Sequence, residues 1–170
     1  MKSASLNVSF RAQLVISEQR QLYDYWVEKS AGRDMPSRGD IHPSHFARLL
    51  PHVSLVDVNT SDRTCRVRLA GTRLREVYDR EITGLSLVDF DWGDKRDYWL
   101  AAFRRTIDEG KPTQGVVRGP VVNKEHLVQY WLKLPLLHHL KTGVGMILCL
   151  DLFQPATEDD ESMARAASIA

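Results

Sequence analysis

The sequence predicts one α+β domain in which a five-stranded antiparallel sheet packs helices against one face and follows an N-terminal helix. Two runs of alternating apolar residues precede a group of helical segments and three follow it, so the order is β-β, helices, β-β-β. The 170 residues suit a single domain. Hydrophobic residues make up 43% and charged residues 26%, which is average for a globular protein with a real core.

The first predicted helix runs from a cap at Ser17 to about Lys29. It carries two apolar stripes, one made of Leu22, Tyr25 and Trp26 and the other of Tyr23 and Val27. One stripe can pack on the sheet while the other contacts a partner, and packing of both stripes in the core is an equal alternative.

A turn-rich linker over residues 31–40 leads to a short helix between Pro43 and Pro51, with Phe46, Leu49 and Leu50 as its buried face. Two strands follow, Val53 to Val58 and Cys65 to Ala70, and residues 59–62 form the hairpin turn between them. Their alternation predicts a hairpin with one face in water.

Several helical segments occupy the middle of the chain. Thr72 caps a short helix with Leu74, Val77 and Tyr78 on one face, Gly84 interrupts the chain, and another short segment spans residues 86–90. A longer helix starts at Asp94 and ends at Gly110, with Pro112 beyond it. Its apolar stripe is Trp99, Phe103 and Ile107.

Three strands complete the domain, Thr113 to Val122, His126 to Leu136 and Val144 to Phe153. The last two alternate so that their large apolar side chains share a core. We expect tails at residues 1–16 and 154–170, the second acidic and rich in small residues, and the domain itself over residues 17–153.

Charge and targeting signals narrow the function. Lys and Arg number 23 and Asp and Glu 22, so no overall field favours nucleic acid or a membrane surface. The N-terminus lacks an apolar signal region, and no run approaches the about 20 apolar residues of a membrane span. Only Cys65 and Cys149 are present, which favours free thiols in a reducing cytoplasm. Nucleic-acid binding would require six arginines to form one face: Arg66, Arg68, Arg73, Arg75, Arg104 and Arg105.

Ordered short motifs resemble those of a known family. They are Leu22-Tyr23-Asp24-Tyr25-Trp26, Gly32-Arg33, Pro36-Ser37-Arg38-Gly39-Asp40-Ile41-His42-Pro43, Leu50-Pro51, Arg68-Leu69-Ala70-Gly71-Thr72 and Ile82-Thr83-Gly84. The chain resembles the PAS-like domain family of short stand-alone alphaproteobacterial proteins, over about Tyr23 to Phe153. One departure is Asp79, where similar proteins often carry glycine.

The resemblance implies a non-enzymatic sensory or protein-interaction module in bacterial signalling. It implies a homodimer and regulation of a signalling partner such as a histidine kinase. We expect the dimer or partner surface on the first helix, at Leu22, Tyr23, Trp26 and Val27.

The resemblance also implies a cavity between sheet and helices, and solid packing is the alternative. We expect a small apolar ligand there, lined by Trp99, Phe103, Tyr130, Leu132, Met146, Leu148 and Leu150. Haem is not expected, because residues 94–110 contain no histidine, and flavin is not expected, because residues 71–90 contain no cysteine. The alternative function is a small-molecule enzyme of the cone-shaped α+β barrel type, which needs an acid or base in the cavity, such as a buried Asp–His pair.

Other motifs have simpler structural explanations. His42, His45 and His52 lack further metal ligands, and adjacent His138 and His139 should point to opposite sides of a strand. Asp89, Asp91 and Asp94 lack the glycine and glutamate of a calcium loop. Arg38-Gly39-Asp40 is expected to form a structural turn. No nucleophile elbow or phosphate-binding glycine loop is present.

Overall fold

The computed structural model describes residues 2–140 and 142–160, with side chains from residue 8 onward. The helices are α1 (Lys2–Gln13), α2 (Ser17–Ser30), α3 (Thr72–Tyr78) and α4 (Arg96–Glu109), and the strands are β1 (Val53–Val58), β2 (Cys65–Ala70), β3 (Thr113–Arg118), β4 (Leu127–Leu137) and β5 (Val144–Pro155). Short 3₁₀ helices occupy Arg38–Asp40, Pro43–His52, Leu87–Asp89 and Gly93–Lys95. No described helix is long and apolar enough to cross a bilayer.

The five strands form one antiparallel sheet in the order β2-β1-β5-β4-β3. This confirms the predicted fold class, and β1 and β2 have the predicted bounds. The Asn59 side chain accepts a hydrogen bond from the Ser61 N–H at 2.9 Å, which shapes the turn between them. Strand β3 ends earlier than predicted, at Arg118, and Gly119 then takes a left-handed conformation with a φ of 61°.

The two faces of the sheet are covered by different helices. On β4, Gln129, Trp131 and Lys133 lie on the face toward α3 and α4, here called the cavity face. Tyr130, Leu132 and Leu134 alternate with them and therefore lie on the opposite, outer face. Helix α2 contacts β4 on that outer face, so apolar residues are buried on both sides of the sheet.

Helix α2 is fixed to β4 by two side chains that bond to backbone carbonyls. Trp26 Nε1 donates to Pro135 O at 2.9 Å, and Gln19 Nε2 donates to Trp131 O at 3.2 Å. Both donors are buried, so these bonds satisfy polar groups that would otherwise be costly to remove from water.

The segment 1–16, expected to be a tail, contains α1. Arg11 forms two hydrogen bonds to the Asp24 carboxylate, Phe10 packs against Tyr23 with tilted rings whose centroids are 5.1 Å apart, and Leu14 is buried in the core. These contacts depend on residues distant in the sequence, which local periodicity cannot show.

The connecting segments follow the prediction with two corrections. The 3₁₀ helix Pro43–His52 buries Phe46 and Leu49, but Leu50 is 37% exposed, because a 3₁₀ helix turns its residues through a different angle than an α-helix. Helix α4 starts at Arg96 rather than at Asp94, which lies in the preceding 3₁₀ turn. The prediction that Gly110 ends α4 is confirmed: it has a φ of 58°.

Asp79 occupies the left-handed position that closes α3, with a φ of 54°. Glycine adopts this conformation without strain, which is the physical reason glycine suits this position. Asp79 keeps the conformation and forms an ion pair with Lys124 at 2.9 Å.

The C-terminal segment continues past the predicted end of the domain. Strand β5 reaches Pro155, and Asp160 is buried against the outer face, where its carboxylate accepts a hydrogen bond from the Tyr130 hydroxyl at 2.5 Å. Residues 161–170 of the predicted tail lie outside the described residues.

Candidate functional site

A buried lysine forms the centre of the site between the sheet and α4. Lys133 projects from the cavity face of β4 and is 1% exposed. Its Nζ lies 4.3 Å from the centroid of the Phe103 ring, 4.5 Å from Trp131 and 5.0 Å from Trp99. These three rings form an aromatic cage, and their electron-rich faces stabilise the ammonium charge.

Two features of the chain hold the rings of the cage in place. The Trp131 indole lies across Gly115 of β3, where a Cβ atom would be only 2.6 Å from the ring. Trp131 Nε1 donates to the Tyr98 hydroxyl at 2.8 Å, and Trp99 Nε1 donates to Pro120 O at 3.0 Å. The glycine gives the indole room, and the hydrogen bonds fix both ring orientations.

A buried carboxyl and a buried amide lie beside the cage. Asp151 on β5 is paired in register with Trp131, and its Oδ1 lies 2.6 Å from Gln129 Nε2. Burial raises the pKa of Asp151 above its usual value, against the opposing effect of Lys133. Gln129 Oε1 is buried with no hydrogen-bond partner in the described part of the chain.

These polar groups face a cavity of about 40 Å³ under α3 and α4. Its wall also includes Ser54, Cys149 and Tyr78. Burial raises the pKa of the Cys149 thiol to about 12, and it also raises the pKa of the Tyr78 hydroxyl, so both are protonated at neutral pH. The cavity is therefore lined by aromatic rings of α4 on one side and by polar side chains of the sheet on the other.

The structure divides the predicted ligand-lining residues between the two faces of the sheet. Trp99 and Phe103 line the cavity. The other five are on the outer face, where the alternation of β4 and β5 points them away from α4; they are Tyr130, Leu132, Met146, Leu148 and Leu150. Their placement in the cavity is corrected, because side chains alternate along a strand and the polar positions between them face α4.

Sequence reasoning missed Gln129, Lys133 and Asp151. The sequence did contain a signal for them, because these three polar residues interrupt the most apolar segments of the chain. Gln129 and Lys133 also lie an even number of residues apart, so their side chains point to the same face of the strand. The lining residues expected from the sequence included no carboxyl or amino group, and the structure places one of each in the cavity.

The predicted partner surface is also corrected. Leu22, Tyr23 and Trp26 are buried in this domain, on the sheet and against α1. Only Val27 of the four is partly exposed. Trp26 of one stripe therefore packs on the sheet and Tyr23 of the other is covered by α1, which leaves Val27 partly exposed.

A second concavity, about 720 Å³ in volume, opens at one end of the sheet. Its cationic side chains are largely engaged: Arg68 is paired with Asp57, Arg33 with Asp40, and Arg38 donates to Ile41 O. The Arg38-Gly39-Asp40 segment forms the expected structural turn, closed by Asp40 on the Ser37 N–H at 2.8 Å.

The histidines do not form a metal centre with other ligands. Within the described residues, no group of three or more His, Cys, Asp or Glu side chains is arranged to hold a metal ion. His138 and His139 differ from the prediction, because β4 ends at Leu137 and the two rings lie 3.9 Å apart in the following turn. His52 Nδ1 lies 3.3 Å from the backbone oxygen of Asp151 rather than from its carboxylate.

Comparisons with solved structures find the same arrangement of sheet and helices. The light-state LOV domain of the blue-light photoreceptor Aureochrome1 is 9% identical, with a TM-score of 0.54, and the match covers 74% of this chain and 96% of that one. A LOV domain studied with a flavin analogue is 10% identical, with a TM-score of 0.51 and coverages of 69% and 86%. At these identities the likeness concerns the fold alone.

Sequence comparison supplies the family. No curated protein matches the chain significantly. The family model described as "PAS domain" matches residues 15–147, which covers α2, all the short helices, α4 and most of the sheet. The chain therefore belongs to the PAS domain family.

Proposed function

We propose that this protein is a non-enzymatic sensory module that binds a small molecule in the cavity beneath α4 and regulates a signalling partner. The observation that supports ligand binding is the set of buried polar groups on one cavity wall, above all the Gln129 amide, one end of which has no hydrogen-bond partner among the described residues. An unsatisfied buried polar atom costs about 1–3 kcal/mol, so a ligand that satisfies it gains binding free energy.

The size of the cavity suggests how binding produces a signal. About 40 Å³ admits only a few atoms, so a larger ligand enters only if α3 or α4 moves away from the sheet. A ligand that binds the displaced arrangement better shifts the population toward it. The affinity of a partner that contacts those helices then changes by the same coupling free energy.

The proposed partner is a protein of a histidine kinase pathway, and the protein acts in the cytoplasm as a homodimer. The partner and the homodimer follow from the resemblance described above, and the cytoplasmic location follows from the two free cysteines. Because Leu22, Tyr23 and Trp26 are buried in the domain, Val27 is the predicted surface residue that remains available for a contact. A Val27→Glu variant should sediment as a monomer, and a dimer as stable as the wild type would contradict this surface.

The proposed ligand is neither haem nor flavin. Helix α4 carries no histidine for an axial haem bond, and the segment 71–90 carries no cysteine for a flavin adduct. A cavity of about 40 Å³ also favours a much smaller molecule than either.

Native and denaturing mass spectra of freshly purified protein test the proposal. We expect a native species that is heavier than the chain mass by a small molecule, and the extra mass should be lost on denaturation. The same spectra report the number of subunits. An empty native species, unchanged after incubation with a small-metabolite extract, would contradict ligand binding.

A second candidate function is catalysis on a small molecule. Asp151 and Lys133 supply a buried acid and a buried amine in one cavity, which is the chemical requirement for that alternative. The small volume of the cavity disfavours catalysis, because substrate and product could exchange only when α3 or α4 moves away from the sheet. If the retained molecule is recovered chemically converted, and Lys133→Met abolishes the conversion, the enzymatic alternative replaces the sensory one.

A further inference from the structure

The Gln129–Asp151 contact has two possible hydrogen-bonding arrangements. A separation of 2.6 Å is short for an N–H donor and ordinary for an O–H donor. The nitrogen and oxygen of a carboxamide exchange places by a half turn of the side chain, so hydrogen-bonding partners decide which atom faces the carboxyl. If Asp151 is protonated, its O–H donates to Gln129 Oε1, and the end of the amide without a partner is then the NH₂ group.

The surroundings of Asp151 favour the protonated carboxyl. In the described structure Lys133 of β4 forms no ion pair with it, and the Lys133 charge is instead surrounded by the aromatic cage. The other titratable groups near Asp151 are Tyr78 of α3, Cys149 of its own strand and His52, whose Nδ1 lies 3.3 Å from the Asp151 backbone oxygen. A buried carboxylate with one side-chain hydrogen bond and no ion pair is costly, and protonation removes that cost.

In this arrangement, the two side chains Lys133 and Gln129 present hydrogen-bond donors to the cavity and no acceptors. Lys133 Nζ supplies up to three N–H groups, and the turned Gln129 amide supplies its NH₂ group. The ammonium also carries a buried positive charge that no described carboxylate neutralises directly. A site of this kind is complementary to a small anion.

We propose that the cavity binds a small carboxylate anion of about three or four non-hydrogen atoms, held by Lys133 Nζ and the Gln129 amide beside the Trp99 and Phe103 rings. The size limit comes from the about 40 Å³ of free space, room for about three water-sized groups. The inference deepens the proposed function and rests on it. It adds the chemical class of the ligand and names the two residues that select it.

Acetate binding, compared with binding of the neutral isostere acetamide, tests the inference. We expect acetate to raise the thermal midpoint of the wild type above that in chloride at equal ionic strength, and acetamide to have no such effect. Lys133→Met should weaken acetate binding at least tenfold in calorimetry. Lys111→Met, which removes an exposed positive charge, is the matched control and should bind acetate like the wild type.

A second measurement uses only the wild type, so it does not depend on folding of the variant. The methyl protons of bound acetate should shift upfield in NMR spectra, because they lie beside the rings of the cage, and should show contacts to the Phe103 ring. Formate, which has one non-hydrogen atom fewer than acetate, tests the size limit of the cavity. It should bind at least as tightly as acetate.

The outcomes separate the ligand class from the proposed function. Equal stabilisation by acetate and acetamide, or undiminished acetate binding by Lys133→Met, overturns the anion inference and leaves a ligand cavity. Absence of binding by acetate and formate overturns it as well. If the native mass spectra also show an empty protein under the conditions given above, the proposed function fails with it.

Discussion

Lys133 Nζ on β4 lies 4.3 Å from the centre of the Phe103 ring on α4, inside the sheet–helix interface rather than at its edge. This contact joins the most buried charged side chain of the described structure to the helix that closes the cavity. A charge in this position is stabilised by the rings and destabilised by the loss of water. The energetics of this interface therefore depend on what neutralises the charge.

The protonation state of Asp151 can be measured through stability. Its pKa in the folded protein is raised above the usual value near 3.8, so the folded state holds this proton to higher pH than the unfolded state does. Stability contributed by the group is full below pH 3.8 and falls as pH rises toward the folded pKa. Asp151→Asn lacks this loss, so its stability relative to the wild type should increase with pH over that interval.

Urea unfolding of both proteins between pH 4 and pH 7 measures this difference. At pH 7 the amide should cost less than about 1.5 kcal/mol, whereas removing one member of a buried ion pair costs about 3–5 kcal/mol. A loss in the larger range, or a relative stability that decreases with pH, would show that Asp151 is ionised and compensates Lys133.

Gly115 should be essential for the position of Trp131. A Cβ at this residue would be 2.6 Å from the indole, so Gly115→Ala should destabilise the fold by about 1–3 kcal/mol and change the tryptophan fluorescence. Gly39→Ala is the control, because its Cβ would be 3.7 Å from the nearest atom, Ser37 Oγ, without a left-handed backbone. Chemical denaturation measures the free energy of unfolding of each variant. Equal losses in the two variants would contradict the close approach of Trp131 to Gly115.

Helix α2 should be an integral part of the domain. Leu22 is fully buried against the core, so Leu22→Ala should lower the free energy of unfolding by about 2–5 kcal/mol. Val8→Ala, at a position 70% exposed on α1, should change it by less than about 0.5 kcal/mol. Chemical denaturation gives both values. A loss below 1 kcal/mol for the leucine variant would indicate that α2 packs only weakly on the outer face.

The Tyr130–Asp160 hydrogen bond should hold the C-terminal segment on the sheet. Hydrogen bonds to the Thr157 side chain and to the Tyr130 hydroxyl lower the pKa of Asp160, so this contribution is present above the usual carboxyl pKa and is lost as pH falls through the lowered value. Tyr130→Phe should cost about 1.5–3 kcal/mol at pH 7.

A double-mutant cycle with Asp160→Asn isolates the Tyr130–Asp160 coupling from other effects of each change. Additive losses in the two single variants would show that the hydrogen bond contributes nothing. The Thr157 contacts of Asp160 remain in Tyr130→Phe, so they serve as the internal reference.

Both cysteines should be unreactive in the folded protein. Burial raises the pKa of Cys65 to about 11 and that of Cys149 to about 12, so neither forms an appreciable fraction of thiolate at pH 8. A thiol reagent should modify no cysteine rapidly in buffer and two per chain in denaturant. A Cys65→Ser variant shows which thiol reacts, and rapid native modification of Cys149 would indicate opening of the cavity.

The local pattern of the sequence determined most of the fold. The hairpin of β1 and β2 was predicted with its bounds, because alternating residues and a polar turn are local signals. The C-terminal end of α4 at Gly110 has the same origin. The family motifs follow one another along the same elements, and the match to the PAS domain model, over residues 15–147, contains all of them.

Only the tertiary structure decided which face of the sheet meets which helix. Strand β4 is buried on both sides, so its alternation separates two faces without showing which one faces α4. Because α4 packs on one of these faces, Lys133 and Asp151 lie in the cavity and Leu132 and Leu150 lie on the outer face. Side-chain alternation is a property of one strand, whereas the identity of each face depends on contacts between residues far apart in the chain.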